Sequence, residues 1–133
     1  MKRIFFSLIV ISAFFSVLNI SCSKYQDGPI ISFKAKKKRI ANTWQHSAFV
    51  YLDQNISETN NLPTTTYTYT EDGIYFNSLG DSGKWEFKGE VDIKITITNG
   101  SADSVAIYEI LRLSTKSLWL KTGQIEEHYK QAK

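Results

Sequence analysis

From Ala41 onward, apolar and polar residues alternate with a period of two. The clearest stretch is Val91, Ile93, Ile95 and Ile97, interleaved with Asp92, Lys94, Thr96 and Thr98. Side chains two apart share one face of an extended chain, so this pattern predicts a half-buried antiparallel strand. Seven further segments read the same way. Thr43 to Leu52 carries Trp44, Ala48, Val50 and Leu52 on one face, with His46 among them. Thr64 to Thr70 alternates threonine with Tyr67 and Tyr69, and Ile74 and Phe76 alternate with Tyr75 and Asn77. Trp85 and Phe87 alternate with Lys84, Glu86 and Lys88; Ser104 to Leu113 is long and apolar on both sides in places. Leu118 and Leu120 flank Trp119, and Ile125 to Lys130 is a weaker last strand.

Glycine turns separate these segments at Glu71-Asp72-Gly73, Gly80-Asp81-Ser82-Gly83, Asn99-Gly100 and Thr122-Gly123. Such residues supply the backbone conformations that hairpins require. The first connection, Asp53 to Pro63, is long and polar instead and is expected to form a rim loop. No helix is predicted after Arg39. Eight antiparallel strands in chain order predict an all-β fold, an eight-stranded antiparallel up-and-down β-barrel, since closure removes exposed sheet edges. A two-sheet β-sandwich is the alternative; short links favour the meander.

The N-terminal segment has a different pattern. Lys2 and Arg3 precede an apolar run from Ile4 to Leu18, followed by Asn19-Ile20-Ser21-Cys22. A bilayer-spanning helix needs about 20 apolar residues, so this run has the length of a signal-peptide core. Ile20, Ser21 and Cys22 resemble the lipobox of bacterial lipoproteins, in which the cysteine is acylated and becomes the new N-terminus. Asn19 departs from it, since leucine is usual there. Cys22 is the chain's one cysteine. A lone thiol is unusual in an oxidising compartment, and acylation accounts for it. The expected organisation is therefore a signal peptide over 1–21, a lipidated N-terminus and basic tether over 22–40, and a barrel domain over 41–133. The expected location is the cell envelope, anchored by lipid and most consistent with the outer membrane, because Ser23 is not the aspartate associated with inner-membrane retention.

Charge adds little. The formal net charge is +3, and without Lys2 and Arg3 it falls to about +1, with no clustered basic face of the kind nucleic acids require. Lys34, Lys36, Lys37, Lys38 and Arg39 do cluster, between the lipid site and the barrel. They read as a solvated tether or short helical lead-in. Attraction to anionic headgroups, worth about 1 kcal/mol per basic residue, is the functional alternative. Two histidines, His46 and His128, and one cysteine are too few for a zinc site, so no metal or cofactor is expected. No nucleophile elbow is present, and most carboxylates sit in turns or on polar faces; Glu109 is the exception, sharing a face with Val105, Ile107 and Leu111. No enzyme activity is expected.

Several motifs together resemble the small lipocalin-like lipoproteins of Bacteroidota. They are Lys-Lys-Lys-Arg-Ile-Ala-Asn-Thr-Trp (36–44), Tyr-Thr-Glu-Asp-Gly-Ile-Tyr-Phe (69–76), Gly-Lys-Trp-Glu-Phe (83–87), Ile-Leu-Arg-Leu-Ser (110–114) and Ser-Leu-Trp-Leu-Lys (117–121). The resemblance spans about residues 34–131 and implies a lipocalin-like barrel. It departs at Asn42, where lipocalins usually have glycine before the first-strand tryptophan. It also implies that a late arginine packs on that tryptophan, which points to a cation–π contact of Arg112 with Trp44. Asp103-Ser104-Val105 resembles a short O-glycosylation signal of the same bacteria, making Ser104 a candidate acceptor.

Aromatic residues make up 14% of the chain, enough either to fill a small barrel or to line a pocket in it. The candidate lining residues are Trp44, Tyr67, Tyr69, Phe76, Trp85 and Phe87. The expected function is non-catalytic binding of a small, partly apolar ligand by a membrane-anchored protein. The alternative is a filled barrel that presents loops to an outer-membrane protein partner. A continuous apolar cavity of about 300 Å³ or more would favour binding.

Overall fold

The computed structural model describes residues 33–100 and 102–133. The signal segment, Cys22 and the first part of the expected tether lie outside these residues. Among the described residues one α-helix, α1 (Phe33–Ile40), precedes nine strands. They are β1 (Asn42–Tyr51), β2 (Ile56–Glu58), β3 (Thr66–Tyr69), β4 (Ile74–Asn77), β5 (Ser82–Lys88), β6 (Asp92–Asn99), β7 (Ala102–Leu113), β8 (Ser117–Thr122) and β9 (Ile125–Gln131). From β3 to β9 each strand pairs antiparallel with the next, and β1 pairs with both β3 and β9. The result is a closed, eight-stranded, antiparallel barrel and not a two-sheet sandwich. The ninth strand, β2, lies inside the expected rim loop. It pairs with the far end of β1 through Phe49, Val50 and Tyr51, on the same side as β3.

Two irregularities shift the alternation. The β1–β9 register slips between His46 and Ala48. Trp44 and His46 face inward, but beyond the slip Phe49 is the residue opposite Glu127, and Leu52 is exposed. The single apolar face expected over 43–52 is therefore split, because one extra residue at a bulge moves every later side chain to the other face. The β7–β8 register slips likewise between Ile110 and Arg112.

Residues 33–40, expected to end the tether, form α1 across one end of the barrel. Lys37, Lys38 and Arg39 lie in its last turn, where the carbonyl ends favour cations. Arg39 Nη1 donates to the Leu113 carbonyl at 2.8 Å, and Trp44 Nε1 donates to the Ile40 carbonyl at 2.9 Å. Lys36 is not solvated: it is 1% exposed, its ammonium donates to the Glu90 carbonyl, and it sits 5.1 Å from the Phe87 ring centroid. Its aliphatic stem packs while the ammonium finds a carbonyl. Ile40, Trp44, Ile93, Ile110, Leu113 and Leu118 fill this end of the barrel.

Candidate functional site

Above that packed end, the barrel holds a cavity of about 230 Å³ lined by Tyr67, Tyr69, Tyr75, Ile95, Tyr108, Leu120, Glu127 and Tyr129. Five tyrosines and one carboxylate dominate its wall. It is smaller than the expected cavity and not apolar. Strand pairing places much of the wall: Tyr69 lies opposite Tyr75, Tyr108 opposite the core residue Ile93, and Leu120 opposite Glu127.

Glu127 is the chemical centre. Its Oε2 lies 3.0 Å from His46 Nε2 and accepts a bond from the Tyr129 hydroxyl. The His46–carboxylate bond places a proton on Nε2, and Nδ1 is buried without a partner among the described residues. The His46 ring packs against Phe49 (centroids 4.6 Å apart), Tyr129 (4.4 Å) and, edge-on, Tyr67 (5.3 Å). Burial by itself would push the Glu127 carboxyl up. The hydrogen bonds from His46 and Tyr129, with the attraction of His46 when charged, outweigh that and hold it below its ordinary value. The phenols respond in the opposite direction. Burial first, and then the Glu127 charge, push Tyr67, Tyr108 and Tyr129 up; Tyr69 is raised well above 10.0 by burial and by its neighbours Tyr75, Tyr108 and Glu127. Tyr75 is raised to about 12, mainly by burial. The cavity therefore presents neutral phenols around an ionised carboxylate at neutral pH.

The expected lining residues divide. Tyr67 and Tyr69 are in the wall. Trp44 belongs to the packed end beside α1, and Trp85 and Phe87 stack edge-to-face at 5.3 Å within the core. Trp85 Nε1 donates to the Thr70 carbonyl at 2.9 Å, tying the Glu71-Asp72-Gly73 turn to β5. Phe76 is not a lining residue: it is 44% exposed, because the pairing of Tyr69 with Tyr75 turns Tyr75 inward. Tyr75, Tyr108, Glu127 and Tyr129 were not among the expected site residues. The signal for the last two was present as a period of two in the final strand, where a carboxylate reads as a solvent-facing residue. Glu109 points outward between Asp92 and Lys121.

Arg112 does not reach Trp44. The slip in β7 turns it outward, with Cζ 4.9 Å from the Trp119 ring centroid. His128 stacks on Trp119 at 4.0 Å and 5° and bonds to Glu126 at 2.9 Å. A larger groove of about 400 Å³ lies on the outer wall, lined by Ile74, Lys84, Glu86 and Lys94 among others, with a Lys94–Glu86 ion pair of 2.9 Å. Among the described residues no group of three or more His, Cys, Asp or Glu side chains is placed to hold a metal ion. None of their helices is long and apolar enough to cross a membrane.

A closed eight-stranded antiparallel meander around an internal cavity is a lipocalin-like barrel. Solved structures agree. A lipocalin-like protein from Bacteroides uniformis superposes with a TM-score of 0.59 at 18% identity, covering 71% of this chain and 99% of that one. An uncharacterized protein from Bacteroides eggerthii superposes with a TM-score of 0.56 at 13% identity, covering 69% of this chain and 98% of that one. At these identities the likeness is one of fold. No protein-family model matches the sequence, and no curated protein matches it.

Proposed function

We propose that this protein is a lipid-anchored, extracytoplasmic binding protein that holds a small molecule inside its barrel without transforming it. The observation that carries the reading is the internal cavity of about 230 Å³ with a hydrogen-bonded carboxylate in its wall. A buried ionised group is costly unless it is paired, and both bonds to Glu127 end on Oε2, so Oε1 is left for a ligand. Cys22 would carry the lipid, and the outer membrane is the proposed location. Ser104 is exposed on β7, open to the proposed O-glycosylation.

Native mass spectrometry of the purified protein tests the binding. A co-purifying small molecule supports it, and a consistently bare mass from several preparations counts against it. The anchor is tested separately by Cys22→Ala, which should move the protein from the membrane to the soluble fraction. Retention of that variant with an unprocessed N-terminus would sink the lipid reading.

A second reading, docking to a protein partner, is favoured by one observation. Ile74 and Phe76 on the outer face of β4 and Leu79 in the following turn are all exposed. Exposed apolar patches of this kind mark interaction sites when they are contiguous.

A further inference from the structure

We infer that the barrel cavity recognises a small organic cation, with Glu127 as its counter-charge and the surrounding tyrosine rings as its walls. The inference rests on the cavity being the binding site and names the chemical class of its ligand.

The argument begins with the charge. The lining contains one carboxylate and no lysine or arginine. Both hydrogen bonds to Glu127 end on Oε2, so Oε1 takes no bond from the described residues. His46 is the nearest group able to carry positive charge. His46 is already engaged on Oε2, so the cavity wall offers a ligand one carboxylate oxygen, Oε1, with no lysine or arginine beside it. An anionic ligand would be repelled; a neutral donor could bond Oε1 but would not balance its charge.

The walls agree with the charge. Tyr67 and Tyr129 meet edge-to-face at 5.6 Å, and Tyr69 and Tyr75 at 5.3 Å. Aromatic faces carry a negative quadrupole and attract cations, and cages of them recognise ammonium groups. An ammonium donates hydrogen bonds and needs acceptors, which the carboxylate and the phenol oxygens supply. The volume sets the size. A cavity of about 150 Å³ holds benzene, so about 230 Å³ holds a ring with a short aminoalkyl arm. That volume is too small to enclose a long lipid chain.

Benzylammonium and benzyl alcohol have the same shape and differ in charge, so calorimetric titration of the full-length protein with each isolates the electrostatic contribution. We expect benzylammonium to bind at least about tenfold more tightly, and Glu127→Gln to abolish that preference. Equal affinities, a preference for the alcohol, or a preference that survives E127Q would overturn the cation while leaving the cavity as a binding site. Binding of neither overturns the inference, and the native mass spectrum then decides separately whether the cavity is occupied at all. If E127Q does not fold, the wild-type comparison of the two ligands decides alone.

Discussion

Glu127 shows how one side chain links stability to chemistry. Its folded-state pKa lies below the ordinary value of 4.5 because His46 and Tyr129 bond the ionised form against the cost of burial. A depressed carboxyl contributes stability that is complete above the unfolded-state value and is lost as pH falls through the folded one. The thermal midpoint of the wild type should therefore drop more steeply below about pH 4.5 than that of Glu127→Gln. Parallel acid branches for the two proteins would show that the carboxylate is not held by these bonds. This residue was hard to find from sequence for a physical reason. Alternation assigns a charged residue to solvent, whereas a barrel interior accepts one when hydrogen-bond donors surround it. Tyr67 and Tyr69 were legible because tyrosine suits an inward position with a polar tip. Phe76 misled because its own apolarity pointed inward, while its neighbour Tyr75 was the better partner for Tyr69.

At the scale of elements, strand pairing depends on close backbone approach as much as on apolar faces. Gly83 is the sharpest case: a Cβ built there would lie 1.9 Å from the Thr96 carbonyl oxygen, across the β5–β6 ladder. Gly83→Ala must push these strands apart, and it should cost about 2–3 kcal/mol by chemical denaturation. A loss below about 0.5 kcal/mol would mean the two strands are more loosely paired than described. The strands themselves could be read from the chain, and so could most turns; Gly73, with φ of +93°, occupies the left-handed region the expected hairpin required. The bulges in β1 and β7 could not. A bulge changes no residue type and is stabilised by the strand opposite, so local alternation holds no trace of it. It nonetheless decides that Phe49, and not Ala48, lies opposite Glu127, and that Arg112 meets Trp119 outside the barrel. The short helical lead-in before the barrel was legible, but its packing on the barrel was hidden for a related reason. Five cations near one another read as solvated, but Lys36 is satisfied by a carbonyl 54 residues away.

For the whole molecule, closure is the decisive property. β1 runs along β9 for most of its length, so neither terminal strand is a sheet edge. Amide hydrogen exchange should therefore protect β1 and β9 as strongly as the central β6–β7 pair. Rapid exchange along either strand would mean an open sheet. What the sequence by itself determined is the set of short strands, their order and the hairpins between them, because period two and turn chemistry are local properties of the chain. Closure into a barrel followed as an expectation from strand number and short links, and the structure bears it out. What only the tertiary structure decided is which side chains meet inside. The cavity around Glu127 is assembled from β1, β3, β4, β6, β7, β8 and β9, and whether it is filled or left open depends on registers and bulges between segments far apart in sequence. Those are set by the summed fit of every pair at once, which no single segment encodes.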